Sequence, residues 1–203
     1  MCRFIESIRY ENGIMPLIAL HQHRFEKTQA EVFGKIIHES LKDIIYRKAG
    51  LHQNLNTGKY KCRVVYDAQN ISIEFIAYHP SKIDRMEIVT GDQIDYHFKY
   101  EDRRCFKRLK SALPDGTEIL IIKNNLVTDT SFTNVALFDG KKWFTPALPL
   151  LEGVQRDFLI NEKIIFPEEI RLNDLHYFKK IKLFNAMINW EEAPVLDVPE
   201  NNL

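Results

Sequence analysis

The chain has 203 residues, 45% of them hydrophobic, which is enough for one compact unit or two small lobes around a shared cleft. Lysine plus arginine and aspartate plus glutamate both number 28, so the overall charge gives no basis for binding nucleic acid or an anionic membrane. Cys2, Cys62 and Cys105 show no metal-type spacing, and neither do the histidines. Without a signal-peptide pattern or a membrane-spanning segment, these features predict a soluble cytoplasmic protein that holds no metal.

The first 80 residues predict a small lobe that ends at a linker over residues 78–82. The predicted elements are a strand over 4–10, a second strand over 14–20, a long helix over 21–49 that stops at Gly50, and a hairpin of strands 60–66 and 71–77. We therefore place the boundary between lobes after residue 80.

Residues 81–203 predict a larger lobe in which strands and helices are mixed. The predicted strands are 86–90, a segment around Lys99, the apolar run 118–123, the hairpin 134–138 with 141–145, and 181–188; the predicted helices are a short one capped by Asp102, 153–161 and 173–178. This order lacks the regular alternation of a doubly wound sheet. It favours an α+β fold with largely antiparallel or mixed sheets.

Lys99 stands out because it follows Tyr96 and Phe98 and precedes Tyr100. A lysine among aromatic residues at the end of a strand is a candidate for desolvation, which disfavours the ammonium and frees the amine to attack a carbonyl. The alternative is an ordinary solvated lysine on the polar face of a strand.

Five segments agree with one pattern in their order and spacing. They are Leu20-His21-Gln22-His23-Arg24-Phe25, the pair Lys99 and Arg103, the pair Asp129 and Asn134, the stretch from Thr145-Pro146 to Gly153-Val154-Gln155-Arg156, and Asn185-Ala186. Together they resemble the class IV aminotransferase family, the pyridoxal-phosphate enzymes of fold type IV. The resemblance covers nearly the whole chain and implies a two-lobed fold with the cofactor in a cleft between the lobes.

The resemblance assigns Lys99 as the residue that links covalently to pyridoxal phosphate and, once released, moves protons at the α-carbon of the substrate and at C4′ of the cofactor. Asp129 would pair with the pyridine nitrogen, five positions before Asn134. The family usually has Glu at this position, one methylene longer, so the charge is kept and the geometry differs. Without the other segments, a turn acid is the favoured interpretation of Asp129.

The resemblance also implies a phosphate site. Arg24 would supply a planar pair of donors, and the helix that starts at Gly153 would offer the main-chain N–H groups of Val154 and Gln155. The remaining predicted residues are Asn185 and Ala186 in a loop against the phosphate, and Arg63 as a partner for a substrate carboxylate. Arg63 is equally well explained as a surface strand residue.

The short chain and its missing opening segment most resemble the aminodeoxychorismate lyase-like members of the family, which eliminate pyruvate to leave 4-aminobenzoate. Transamination between an amino acid, of the branched-chain or D-amino acid type, and a 2-oxo acid is the alternative, because both reactions begin with the same removal of an α-proton. A non-catalytic binding protein on this fold is a further alternative. The resemblance also implies a homodimer that acts on a small amino acid-like substrate.

Overall fold

The computed structural model describes residues 2–51, 55 and 57–200, and the chain forms two compact units. The first unit comprises Met1–Pro80 with Phe98–Asp102, and the second comprises Ser81–His97 with Arg103–Leu203. The segment that contains Lys99 therefore belongs to the first unit, although it follows residue 80 in the sequence. None of the helices within the described ranges is long and apolar enough to cross a membrane.

The first unit packs two helices against a three-stranded antiparallel sheet. Its elements are β1 (Phe4–Glu11), α1 (Ile18–Phe33), α2 (Leu41–Ala49), β2 (Lys59–Tyr66) and β3 (Ile71–Ala77), with the strand order β1-β2-β3. Phe25 and Ile45 from the helices and Val64 from the sheet are fully buried in one core. The predicted hairpin of β2 and β3 is confirmed.

The predicted long helix over 21–49 is wrong, because the chain breaks it into α1 and α2. Gly34 follows α1 with φ of +74°, a left-handed conformation that glycine adopts without strain and that ends a helix. The Gln29 side-chain oxygen accepts hydrogen bonds from the main-chain N–H groups of Ile37 and His38, both at 2.9 Å. The side-chain oxygen of Gln22 accepts from the N–H of Leu41 at 2.7 Å, where α2 begins. Side chains of α1 therefore satisfy the donors exposed by the break.

Two predicted strands in this unit are also wrong. Residues 14–20 do not form a strand, because α1 already begins at Ile18 and only Ile14 makes a bridge, to Glu11. Around Lys99 the extended pairing is a single bridge between Phe4 and Tyr100. No strand forms in this part of the described chain: the side chain of Tyr96 packs on Phe106 within the second unit, with ring centroids 4.8 Å apart, whereas Phe98 and Lys99 belong to the first unit.

The second unit holds two sheets and two α-helices among its described residues. Its elements are β4 (Arg85–Thr90), α3 (Arg104–Leu109), β5 (Thr117–Lys123), β6 (Leu126–Val127), β7 (Asn134–Phe138), β8 (Trp143–Pro146), α4 (Val154–Asn161), β9 (Phe166–Glu168), a 3₁₀ helix (Leu172–Tyr177), β10 (Lys180–Phe184) and β11 (Val195–Asp197). The strand orders are β4-β5-β6 and β11-β10-β7-β8-β9, with β4–β5 and β8–β9 parallel and the other pairs antiparallel. The α+β fold with mixed sheets is confirmed.

Two local predictions in this unit need correction. Arg103, and not Asp102, occupies the N-cap position of α3. The last long strand ends at Phe184, short of the predicted residue 188, because the side-chain oxygen of Asn185 accepts a hydrogen bond from the N–H of Met187 at 2.9 Å and turns the chain.

Candidate functional site

Lys99 lies in the first unit beside the beginning of β1. Its carbonyl accepts a hydrogen bond from the N–H of Ile5 at 2.9 Å, and the N–H of Glu101 donates to the carbonyl of Arg3 at 2.8 Å. Lys99 itself is half-buried. The main chain at Lys99 and just after it is therefore bonded to the beginning of β1 and to the residue before that strand.

A buried ionic cluster of Glu6, His21 and Arg24 lies in the same unit. Nε and Nη2 of Arg24 donate to the two carboxylate oxygens of Glu6, at 2.9 and 2.5 Å. Nδ1 of His21 lies 2.6 Å from Oε2 of Glu6. Glu6 on β1 and His21 on α1 are both 1% exposed, so β1 and α1 are joined by fully desolvated polar contacts. Such pairs need all of their partners, because an unpaired buried charge is costly.

The charge states in this cluster follow from its surroundings. Burial raises the pKa of Glu6, but Arg24 and His21 outweigh it and lower the pKa from 4.5 to about 2. Burial lowers the pKa of His21, and the positive charges of Arg24 and Lys99 lower it further against the opposing effect of Glu6. At neutral pH the cluster therefore contains a carboxylate, a guanidinium and a neutral imidazole whose Nδ1 carries the proton toward Glu6.

Arg63, the predicted partner of a substrate carboxylate, lies on β2 and pairs with Glu101. Its Nη2 donates to Oε1 of Glu101 at 2.6 Å, while Nε of Arg3 lies 2.7 Å from the other oxygen. The Arg63 side chain remains 30% exposed. An anionic ligand at Arg63 would therefore compete with, or add to, an existing carboxylate partner.

In the second unit, the side chains of Asp129 and Asn134 are in contact. Nδ2 of Asn134 donates to Oδ1 of Asp129 at 2.8 Å and to the carbonyl of Leu151 at 2.9 Å. The N–H of Leu151 donates to Oδ2 of Asp129 at 2.9 Å. The carboxylate thus lies at the junction of the loop before β7 and the loop before α4, and each of its oxygens accepts one of these bonds.

Asp129 is a buried acid whose charge is poorly compensated. It is 5% exposed, and burial raises its pKa from 3.8 to about 6, despite the hydrogen bonds from Asn134 and Leu151 and the positive charge of Arg156. Arg156 is itself buried, with Nη2 donating to the carbonyl of Pro146 at 2.9 Å, and burial lowers its pKa. A cation brought against Asp129 would relieve this imbalance.

The helix α4 begins with an N-cap residue, Gly153, that provides no side chain. The first main-chain N–H groups belong to Val154 and Gln155, and both residues are buried. The first N–H groups of a helix have no partner within the helix and point outward from its N-terminus, where they favour an anion. A Cβ atom at Gly153 would lie 1.9 Å from Oδ1 of Asn134, so only glycine fits here. The same contact brings the helix start next to the Asp129–Asn134 pair.

Asn185 and Ala186, predicted to face a phosphate, form a half-buried turn after β10. Nδ2 of Asn185 donates to the carbonyl of Phe132 at 3.3 Å, in the loop that follows Asp129. Asn185 thus lies near the Asp129 loop, where its amide supports the main chain.

A recess of about 230 Å³ lies in the second unit and includes Thr128, the residue before Asp129, in its lining. Its lining residues are Asp95, Tyr96, His97, Lys123, Asn124, Leu126, Thr128, Leu148, Pro149 and Leu150. Its volume lies below the range of about 300–1,000 Å³ that is usual for pockets that hold drug-sized ligands.

The predicted residues therefore form two groups, each coherent within its own unit. In the first unit Arg24 binds Glu6, and the charge of Lys99 lowers the pKa of His21; in the second unit Asp129, Asn134, Gly153 and Asn185 lie close together. Sequence reasoning missed the roles of Glu6 and His21. The available signal was the spacing of His21 and Arg24, three positions apart on α1, which places both side chains on one helix face.

The two groups offer complementary chemistry. The first contains an amine that can bond to a carbonyl and a guanidinium suited to an anion. The second contains a helix start that suits an anion and a buried carboxylate that suits a cationic ring nitrogen.

Comparison with known proteins gives both near and distant relatives. No protein-family model matches the chain. An uncharacterized protein from Haemophilus influenzae is 35% identical over 187 residues, covering 92% of this chain and 98% of that protein. The crystal structure of a "putative 4-amino-4-deoxychorismate lyase" from Haemophilus somnus is 32% identical with a TM-score of 0.84, covering 92% of this chain and 97% of that one. An aminotransferase from Brucella abortus bound to pyridoxal phosphate is 16% identical with a TM-score of 0.71, covering 96% and 80% of the two chains, and shares the fold.

Proposed function

This chain belongs to the class IV aminotransferase family of fold type IV, and on that basis we propose that it is a pyridoxal-phosphate-dependent enzyme with 4-amino-4-deoxychorismate lyase activity. The choice of reaction rests on one observation, the similarity to the Haemophilus somnus protein over nearly the full length of both chains. Distant aminotransferases with the same fold support the cofactor class and do not distinguish the reactions.

The residues present fit the three functional groups of pyridoxal phosphate. Lys99 supplies an amine for the aldehyde. The start of α4, where Gly153 provides no capping side chain, supplies main-chain donors for the phosphate. Asp129, whose pKa is raised to about 6 by burial, lacks a strong positive partner, and a protonated pyridine nitrogen would provide one.

Pyridoxal phosphate, when bound, supplies an electron sink for the carbanion formed at the substrate. In this proposal Lys99 carries the proton removed from the α-carbon. Asp129 holds a negative charge against the ring nitrogen. Arg24, oriented by Glu6, offers a guanidinium to an anion.

The lyase reaction converts 4-amino-4-deoxychorismate to 4-aminobenzoate and pyruvate, and it balances without a second substrate. Transamination, in contrast, needs a 2-oxo acid to accept the amino group. The two activities are therefore separated by one assay, in which the purified protein with pyridoxal phosphate is given aminodeoxychorismate and no 2-oxo acid. Stoichiometric pyruvate and 4-aminobenzoate support the proposal. Turnover only when an amino acid and a 2-oxo acid are both supplied identifies an aminotransferase.

The cofactor part of the proposal has its own test. The purified protein should show a visible absorption band with pyridoxal phosphate, and borohydride should remove the band and leave the cofactor attached to Lys99 in peptide mass spectra. Lys99→Ala should lose the band and all turnover while retaining the fold, whereas the exposed Lys107→Ala should retain both. A band with no turnover on any substrate would indicate a non-catalytic binding protein, and a reduced adduct on another lysine contradicts the assignment.

We also propose that the protein acts as a homodimer in the cytoplasm. Family membership supports the dimer, and the three cysteines, all free, agree with a reducing compartment in which no disulfide joins the subunits. Light scattering at working concentration tests the dimer, and a monomeric mass contradicts it.

A further inference from the structure

The loop that carries Asp129, residues 128–133, is held by two side chains of opposite charge at one residue. The N–H of Ser131 donates to Oε1 of Glu118 at 2.9 Å. The carbonyl of Ser131 accepts a hydrogen bond from Nη2 of Arg103. Both main-chain polar groups of Ser131, two residues after Asp129, are thus bound by charged side chains, and such bonds are stronger than neutral ones.

Glu118 is a rigid anchor for this loop. It lies on β5 and is 1% exposed. Its Oε1 also accepts from the N–H of Ile119 at 3.0 Å, and its Oε2 accepts from Nζ of Lys110 at 2.9 Å. A buried carboxylate bound by several donors has one orientation, because any movement leaves a desolvated charge without a partner.

Arg103 is held in its orientation by aromatic side chains. Its guanidinium carbon lies 5.0 Å from the ring centroid of Phe106 and 5.8 Å from that of Tyr96. Nη1 also donates to the hydroxyl of Tyr96 at 3.4 Å. A planar guanidinium can contact both rings and still donate to Ser131, whereas a lysine offers only a point charge.

The loop itself needs such support at its tip. Its two ends are bonded to neighbouring strands or to each other, through Thr128 with Ile121 and Thr130 with Thr133. Ser131 lies between these contacts. The turn over residues 130–133 determines the distance from Asp129 to Asn134, so a displaced turn would move the carboxylate relative to its partner.

We propose that Arg103 and Glu118 are positioning residues that fix Asp129 by holding Ser131 from both sides. This inference rests on the proposed function, in which Asp129 pairs with the cofactor ring. It gives a physical role to the arginine four residues after Lys99 and to a buried glutamate that the sequence pattern does not identify.

The test compares Arg103→Lys, Glu118→Ala and Glu118→Gln with two exposed control variants, Arg108→Lys on the same helix and Glu87→Gln on β4. Hydrogen–deuterium exchange is measured first without cofactor. Arg103→Lys and Glu118→Ala should raise exchange in peptides over residues 128–134 by about tenfold, as expected for the loss of one charge-assisted hydrogen bond. Glu118→Gln keeps an oxygen acceptor for Ser131 and should be milder, and the controls should match the parent.

The second measurement uses the protein with pyridoxal phosphate. In Arg103→Lys the pH dependence of the visible band should shift, and kcat should fall by about tenfold while the cofactor dissociation constant changes little, because Arg24 and α4 are intact. Unchanged exchange in residues 128–134 for both Arg103→Lys and Glu118→Ala overturns the proposal. So does faster exchange with an unchanged absorbance profile and kcat. A parent protein without a visible band defeats the proposed function and this role for Asp129 together, whereas the exchange data would still show whether the contacts to Ser131 hold the loop.

Discussion

Replacing Gly153 with alanine should destabilise the second unit through one contact. The added Cβ would lie 1.9 Å from Oδ1 of Asn134 and 3.1 Å from its Cγ, so the Asn134 side chain must move. The main chain itself is not the difficulty, because φ of −80° and ψ of 138° at Gly153 are accessible to alanine.

The magnitude follows from the bonds that Asn134 would lose. Its Nδ2 donates to the carboxylate of Asp129 at 2.8 Å and to the carbonyl of Leu151 at 2.9 Å. A hydrogen bond to a charged group contributes about 1.5–3 kcal/mol and a neutral one about 0.5–1.5 kcal/mol, so the expected loss is about 2–4 kcal/mol. Alanine also makes the unfolded chain stiffer, which stabilises the folded state, and is a poorer N-cap residue than glycine, which destabilises it. Each of these opposing effects changes the free energy of unfolding by about 1 kcal/mol or less.

Urea unfolding followed by tryptophan fluorescence is a suitable assay, because Trp143 and Trp190 both lie in the second unit. Gly50→Ala is the matched control. Gly50 has φ of −60°, and an added Cβ would meet only ordinary contacts at 3.5 Å or more, so this variant should be neutral or slightly stabilised. In thermal unfolding the Gly153→Ala loss corresponds to a decrease of roughly 5–15 °C in Tm.

A double-mutant cycle tests the reasoning directly. Asn134→Ala removes the obstructing oxygen, so adding Gly153→Ala to that variant should cost less than about 1 kcal/mol. If Gly153→Ala costs the same free energy of unfolding with and without the Asn134 side chain, the contact is not the cause and the interpretation is refuted.

Three further predictions concern charged residues. Asp129→Asn should retain pyridoxal phosphate yet slow α-proton removal by orders of magnitude, with Asp129→Glu far milder; an Asp129→Asn variant as fast as the parent contradicts the ring assignment. Without cofactor, burial raises the pKa of Asp129 from 3.8 to about 6, so the free energy of unfolding should fall by roughly 3 kcal/mol as pH rises from about 4 through 6. Urea unfolding measured across this pH range should show the fall in the parent and not in Asp129→Asn. Because the pKa of Glu6 is lowered from 4.5 to about 2, its contribution of roughly 3 kcal/mol should be complete above pH 4.5 and disappear as pH falls through 2. The stability difference between the parent and Glu6→Gln should follow that curve, whereas Glu39→Gln, at an exposed pair with Arg47, should change little.

Local patterns in the sequence determined much of the fold. The turn between β2 and β3, the turn between β7 and β8, and the start of α4 at Gly153 are each encoded by a few neighbouring residues, because short-range sterics and hydrogen bonds decide such features. Asp129 and Asn134 lie five positions apart and one short turn joins them, so their contact is also a local one, although it was not predicted from the sequence. The aromatic neighbours made Lys99 a candidate, and family resemblance added its link to the cofactor and the role of Arg24.

Only the tertiary structure decided how those residues are supported. The apolar period continues across Gly34, yet the helix breaks there because Gln22 and Gln29 supply acceptors to the chain that follows. Glu6 meets Arg24, Glu118 meets Ser131, and Gly153 meets Asn134 across 13 to 19 positions of sequence, at distances set by how strands and helices pack. A one-dimensional pattern cannot specify such contacts, because their energies depend on desolvation and close approach that arise only after the elements have assembled.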